Sequence, residues 1–352
     1  MTITESIYNR YQRYRTLQTH RIHAMPVVIL MPHSACNCKC VMCDIWKGNK
    51  NLKQLQESDI KALITSLRSL QTEQVLMSGG EALLHPQFFR FCELMNEAGI
   101  RVSLHSTGLT IGHHAESLTK HVHDIIVSID GDRETHDAIR RIPGAFDALA
   151  TGITKIRDID PHYPISARSV IHRLNFRKWP QLIRDACNIG IGKLSFLPAD
   201  VSSTAFNREN PWTSDRQEEI LLHEEEIPEL NDIINGIIED EYLTGQPALM
   251  VESPVKLRQI AQYYAAFYGH EPFPFKRCNA PWVSTVVEAD GTVRPCFFHE
   301  PIGNIHEDGL KQILNSPGAV AFRRSLDMRS NPTCEKCVCS LYLSPGTKLN
   351  RP

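Results

Sequence analysis

From residue 27 to about residue 200, short β-branched and aliphatic runs alternate with segments whose apolar residues recur every three to four positions. No other feature limits the fold as much. Strands are expected at 27–31, 74–77, 102–105, 125–129, 165–171 and 194–197. The first helix between them is expected to be capped by Ser58, with Ile60, Leu63, Ile64 and Leu67 on one face. Further helices are expected at 86–98, near 115–121, at 146–156 and at 179–188. Strands this short and apolar, each followed by a helix, make a parallel sheet with covered faces. The repeated units fall short of the number that closes a barrel. The expected fold class is therefore α/β, a partial (β/α)6 TIM-like barrel with a small C-terminal module. In such barrels the chemistry sits at the C-terminal ends of the strands.

The polar loop 199–212 is longer than ordinary connections and is a candidate substrate-facing segment. Leu230, Ile233, Ile234, Ile237 and Ile238 then form a helical stripe, with Glu224–Glu226 as a solvated face. From Phe275 the character changes to a cysteine-bearing module. Asp290-Gly291, between 284–287 and 292–294, is a hairpin signal there. The domain organisation read from these changes is an N-terminal extension 1–26, a barrel 27–245, a connector 246–274, the module 275–343 and a tail 344–352.

The formal net charge of −2 gives no global field to recruit nucleic acid or an acidic membrane. The N-terminus lacks the basic and apolar regions of a signal peptide. No apolar run approaches the roughly 20 residues that span a bilayer. A cytoplasmic protein is expected, with no membrane and no nucleic acid among its partners. The interleaved tyrosines and arginines from Tyr8 to Arg15 could stack on single-stranded RNA. The reading preferred here is an amphipathic helix packed over the barrel with its arginines exposed.

Eleven cysteines in a reducing compartment read as metal ligands or catalytic thiols rather than disulfides. Cys92 and Cys187 sit alone in apolar helical patterns as small hydrophobes. The rest are clustered: Cys36, Cys38, Cys40 and Cys43, then Cys278, Cys296, Cys334, Cys337 and Cys339. Cys36-x3-Cys40-x2-Cys43 follows the first strand. A [4Fe–4S] cluster normally takes four thiolates, so three leave one iron open to a chelating ligand. Zinc also takes cysteine ligands, with Cys38 or His33 available as a fourth.

This loop resembles the signature of the radical SAM superfamily. At the end of the second strand, Ser78-Gly79-Gly80-Glu81-Ala82 is similar to the family's GGEP stretch, which binds the amino group of S-adenosylmethionine. An ammonium needs acceptors, and glycines permit close backbone approach. The family proline is Ala82 here. Ser128-Ile129-Asp130-Gly131 and the stretch His136 to Arg140 resemble the strand-four region of the SPASM-type subfamily. By that resemblance Ser128 and Arg140 contact the carboxylate or ribose of the cosubstrate. Met42 stands where many members have an aromatic residue beside the adenine. Cys38 lies outside the pattern.

Cys278-x17-Cys296, Gly291-x4-Cys296, Gly303-Asn304-Ile305 and Cys334-x2-Cys337 resemble the Twitch form of the SPASM domain. That form carries one auxiliary [4Fe–4S] cluster, here on Cys278, Cys296, Cys334 and Cys337. Of the cysteines that a complete SPASM domain has beyond Cys337, only Cys339 follows, as a possible substitute ligand. A zinc ribbon is the structural alternative. The resemblance covers roughly residues 27 to 343.

It implies an enzyme that takes an electron from a flavodoxin- or ferredoxin-like donor. The enzyme cleaves S-adenosylmethionine and abstracts hydrogen from a substrate through a 5′-deoxyadenosyl radical. The preferred substrate is a small polar metabolite, oxidised with the auxiliary cluster as electron acceptor. Peptide maturation is the alternative, and it is disfavoured because no leader-binding domain fits before the first strand. A non-enzymatic iron–sulfur or zinc binding protein is the third reading. No catalytic base or hydrogen donor can be named from the sequence.

Overall fold

The structure is a computed structural model that describes residues 3–243 and 249–349. Six strands run parallel in sequence order: β1 (Val27–Leu30), β2 (Gln74–Met77), β3 (Arg101–Ser106), β4 (Asp124–Ser128), β5 (Ile165–Ile171) and β6 (Lys193–Pro198). Each pairs with the next. The helices between them are α2 (Glu57–Ser69), α3 (Phe88–Glu97), α4 (Ala115–His121), α5 (Arg133–Arg140), α6 (Ala145–Ile159) and α7 (Trp179–Asn188), after an N-terminal α1 (Ile3–Thr19). Alternation along the strands sets the two faces. On β5, Ile165, Ala167, Ser169 and Ile171 are buried, while Ser166, Arg168 and Val170 are half-buried. Ile165, Ala167 and Ile171 pack in the main apolar core with Leu149, Ile153 and Ile156 of α6 and Leu182, Ile183 and Ala186 of α7. No helix among the described residues is long and apolar enough to cross a membrane.

The sheet continues past the sixth strand. β7 (Ser284–Val287) pairs parallel with β1, and β8 (Thr292–Arg294) and β9 (Gly303–Asn304) add antiparallel strands outside it. Gly291 makes the hairpin turn at φ +82°, a conformation that suits glycine. The cysteine-bearing segment is thus joined to the barrel by main-chain bonds along β1.

Local expectations need two corrections. Ser58 does not cap α2. Gln56 is the cap, and its N–H donates to Asp59 Oδ2 at 2.7 Å. In α1 the arginine pattern is partly reversed: Arg13 is buried against Glu73, with Nη2 to Oε1 at 2.5 Å, while Tyr8, Tyr11 and Tyr14 stay exposed. Arg140, in the last turn of α5, is buried, with only 7% of it exposed. The boundary placed at residue 245, and the ends of the extension and tail, lie outside the described residues.

Candidate active site

The loop between β1 and α2 crosses the mouth of the barrel and is closed on itself. His33 bridges to Gln54, Ser34 N–H donates to Lys53 O, and Asn49 bonds both the N–H and the C=O of Cys36 at 2.9 and 2.8 Å. His33 Nδ1 accepts from Ala35 N–H at 2.9 Å, so that nitrogen is committed to the loop itself. From below, α5 holds the loop. Lys39 and Val41 N–H groups donate to the carbonyls of Arg140 and Ile139. Trp46 Nε1 donates to Cys43 O at 2.8 Å.

Cys36, Cys40 and Cys43 come together here with Cys38 beside them. Hydrogen bonding from Cys38 and the charge of Arg140 bring the Cys40 thiol down to about 6, while burial raises Cys36 to about 11 and Cys43 to about 12. Arg140 Nη1 lies 3.5 Å from Cys40 Sγ, and its Nη2 forms an ion pair at 2.5 Å with the fully buried Asp130. Among the described residues no three His, Cys, Asp or Glu side chains converge as a single metal ion requires. A four-iron cube instead takes each thiolate on a separate iron. Three thiols on one braced loop, with a guanidinium beside them, match the donor set of such a cube.

The Gly79-Gly80-Glu81 turn packs its backbone on the same loop. Glu81 N–H donates to Ala35 O at 2.8 Å. A Cβ at Gly80 would lie 2.2 Å from Ala35 O and 3.0 Å from Cys36 Cβ. Gly79 takes φ +116°. Close approach at Gly80 is therefore to the cysteine loop. The Glu81 carboxylate is fully buried and engaged with Leu83 N–H, Ser106 Oγ and both the N–H and Oγ1 of Thr107. Burial pushes its pKa up against these donors. Glu81 ties the end of β2 to the end of β3. Met42 is buried in the core, and its carbonyl accepts from Arg208 Nη2 at 3.4 Å.

Ser128 ends β4 in register with Arg168 of β5. Arg168 was not singled out from the sequence, nor were His105, Ser195 and Glu252. Burial, then the charges of Arg168 and Arg140, bring His105 down to about 3. Glu252 accepts from Ser195 Oγ at 2.9 Å and feels Arg168. Arg168 Nε, Asn37 Nδ2 and Arg140 Nε are buried without hydrogen-bond partners. His105, Arg168 and Ser195 alternate with the buried residues of β3, β5 and β6 that pack on the helices, while Asn37 and Arg140 come from the cysteine loop and α5. Orphaned buried donors are the mark of a site built for a polar ligand. The signal that could have revealed them is a polar residue at alternate positions of an otherwise apolar strand.

The loop 199–212 is strapped over the cysteine loop. Arg208 and Asp200 form a buried ion pair at 2.7 Å, the Arg208 guanidinium stacks 3.9 Å from the Trp212 ring, and Trp212 Nε1 donates to Asp44 Oδ2. Phe206, at φ +62°, meets Phe297 edge to face with centroids 5.0 Å apart. A cleft of about 470 Å³ opens between these parts. Gly79, Gly80 and His33 line one wall, Phe206 and Arg208 a second, and Asp290, Arg294 and Phe297 of the module a third.

Behind Phe297, five cysteines share one pocket: Cys278, Cys296, Cys334, Cys337 and Cys339. Burial raises Cys296 to about 12 and Cys334 to about 11. Lys276 lines the pocket too, its pKa lowered by burial and raised by the Cys337 and Cys339 thiols. This thiol-rich pocket matches the donor set of a second cluster.

Two family models match the chain: that of the radical SAM superfamily over residues 30–186, and that of the SPASM iron-sulfur cluster-binding domain over 278–338. The chain belongs to the radical SAM superfamily. It is a radical SAM enzyme with a C-terminal SPASM-type domain, and its cofactors are S-adenosylmethionine, the [4Fe–4S] cluster that binds it and auxiliary iron–sulfur ligation. The chain is 26% identical to the Fe-coproporphyrin III synthase of Methanosarcina barkeri over 305 residues, 82% of this chain and 73% of that protein. It is 22% identical over 316 residues to the sporulation killing factor maturation protein SkfB of Bacillus subtilis, 88% of this chain and 68% of that protein. It is 30% identical to the AdoMet-dependent heme synthase of M. barkeri over 161 residues, only 46% of that protein. The fold matches Streptococcus suis SuiB bound to S-adenosylmethionine at a TM-score of 0.65 and 13% identity, covering 95% of this chain and 76% of that one. It also matches anSMEcpe with bound AdoMet and a peptide at 0.63 and 18%, covering 84% and 81%.

Proposed function

We propose that this enzyme oxidises a small polar molecule bound in the cleft between the barrel mouth and the SPASM-type module. The observation that carries this is the position of the cleft. One wall is the Gly79-Gly80 turn against the Cys36 loop, and the opposite wall is Phe297, next in chain to Cys296. A substrate there lies between the segments that carry the two cysteine sets. The volume of about 470 Å³ suits one small ligand, with Lys53, Arg294 and Asp290 as polar anchors.

In this reading Cys36, Cys40 and Cys43 hold the cluster that binds S-adenosylmethionine, and Cys278, Cys296, Cys334 and Cys337 hold one auxiliary cluster. When bound, these groups would supply hydrogen-abstracting radical chemistry and an electron acceptor. The protein's own residues bind and orient. The Gly79-Gly80 backbone and Ser128 face the methionine and ribose ends, with Met42 below the loop. Arg140 steadies the Cys40 thiolate, and Arg168, whose Nε has no hydrogen-bond partner, offers its guanidinium to a carboxylate. Glu81 positions the turn from behind. The barrel 27–245 and the module 275–343 act as the two jaws, and a flavodoxin- or ferredoxin-like protein in the cytoplasm is the donor.

Peptide maturation is the second reading, favoured by the match to SkfB over most of both chains. Deuterium transfer separates the two. Reduced enzyme and S-adenosylmethionine are incubated with extract from deuterium-grown cells, split into small-molecule and peptide fractions. Deuterated 5′-deoxyadenosine arising from the small-molecule fraction alone is the expected result. Label arising only from the peptide fraction refutes it.

A further inference from the structure

Two polar groups in the module's cysteine pocket have no part in the account so far. The first is the ammonium of Lys276. Its Nζ is shut off from solvent and makes no hydrogen bond, although its side chain lines the pocket with the five cysteines. Its one aromatic contact, 5.7 Å to the Tyr263 ring centroid, does not satisfy three N–H donors. Burying an ammonium without a partner is costly, so an anionic group belongs beside it. The second is His299. Its Nε2 lies 3.4 Å from Cys334 Sγ, and its ring is held edge to face against Phe322 with centroids 4.9 Å apart.

Backbone donors complete the set. Ala280 N–H points at Cys278 Sγ and Cys339 N–H at Cys337 Sγ, both at 3.4 Å, while Cys296 receives the N–H groups of Phe298 and His299. Three of the four expected ligands therefore face a backbone N–H. The fourth, Cys334, faces His299 Nε2, which donates in the tautomer that carries its proton there, and the Lys276 side chain lines the same pocket.

We propose that Lys276 and His299 are electrostatic partners of the auxiliary cluster, raising its reduction potential so that it can accept an electron from the substrate side. The proposal rests on the reading that Cys278, Cys296, Cys334 and Cys337 hold that cluster. Uptake of one electron deepens the net negative charge of the cluster and its thiolates by one unit. No bond is made or broken and no proton moves. A buried cation and N–H donors aimed at the sulfurs favour the more negative state. Lys276 acts through its charge and His299 through its N–H, so the two contributions are separable.

The test is an EPR-monitored redox titration with dithionite as the reductant. It is done in a Cys36→Ala, Cys40→Ala, Cys43→Ala background, so that only iron in the module is seen. Iron near four per chain, about one four-iron cluster, verifies the underlying reading, and iron near zero removes that reading before the proposal is reached. Lys276→Met should make reduction at least tenfold less favourable, about 59 mV for one electron. Lys276→Arg should keep the parent potential. His299→Leu should shift it in the same direction, and His299→Gln, which retains an N–H donor, should recover part of the shift. Should Lys276→Met lose its iron, Lys276→Gln carries the test, since it keeps a donor without the charge. Parent potentials in iron-replete Lys276→Met (or Lys276→Gln) and His299→Leu overturn the proposal.

Discussion

Replacing Gly80 by alanine adds a single methyl group, and the structure says where it goes. The new Cβ would lie 2.2 Å from Ala35 O, 2.6 Å from Ala35 C and 3.0 Å from Cys36 Cβ. None of these atoms is the flexible end of a side chain. All belong to the segment that carries the first cysteine. Relief requires a shift on the order of 1 Å in one of two backbones, in a region packed like a crystal. Overpacking of this kind costs roughly 1–3 kcal/mol. The Glu81 N–H to Ala35 O bond, at 2.8 Å, lies along the same contact and stretches with it. The consequence is local: Cys36 is displaced from the thiol set it shares with Cys40 and Cys43. Iron and acid-labile sulfide are counted after anaerobic reconstitution. Gly80→Ala is expected to fall from about eight irons toward about four, keeping the module's share. Gly99→Ala is the control. Gly99 has φ +74° but nothing within 4 Å of its Cβ, so alanine there costs roughly 1 kcal/mol of backbone strain without touching the loop. If Gly80→Ala holds the full iron complement with an unchanged melting temperature, the packing argument is wrong.

Other expectations concern the buried charges. Arg140→Met leaves Asp130 buried without its cation, which costs about 3–5 kcal/mol; the anaerobic thermal midpoint should drop, and Asp130→Asn in the same chain should restore most of it. No recovery in the double variant would show that the ion pair is not the source of the loss. His136 and His172 are fully buried, and burial and then Arg140 lower both to about 3. Their folded values lie below the unfolded value of about 6.5, so the neutral forms are favoured and the unfolded chain takes up the protons first. Stability present above pH 6.5 is lost as pH falls toward 3, at about 1.4 kcal/mol per pH unit for each histidine. Melting curves between pH 7.5 and 5 should show the decline, and His136→Asn and His172→Asn should flatten it. A slope unchanged in both variants would falsify this assignment.

The order of strands and helices could be read because each β-α unit carries its own local signal: a short apolar run, a break, then a helical stripe. The cysteine spacing could be read because metal ligands are sparse and chemically distinctive. What could not be read depends on contacts distant in sequence. The resemblance marks Arg140, but its support of the loop that carries Cys40 appears only once α5 is seen beneath that loop. Gly80 looks like a ligand-binding glycine, and only the fold shows that Ala35 fills the space beside it. Glu81 was read as an acceptor facing the cosubstrate; in the structure its oxygens are taken by Ser106, Thr107 and Leu83. Arg168 and His105 were masked by the strand pattern that contains them. That β7 continues the barrel sheet follows from pairing with β1, more than 250 residues earlier, for which the sequence has no local mark.

The most direct test of the account is the division of labour between the two cysteine sets. Wild-type protein and the Cys36→Ala, Cys40→Ala, Cys43→Ala variant are reconstituted anaerobically, reduced, and given S-adenosylmethionine. Iron is counted and 5′-deoxyadenosine is measured in each. The account predicts about eight irons and steady release of 5′-deoxyadenosine from the wild type. The variant should keep about four irons and release none. Equal release from both proteins, or stoichiometric zinc in place of iron in the wild type, would contradict it.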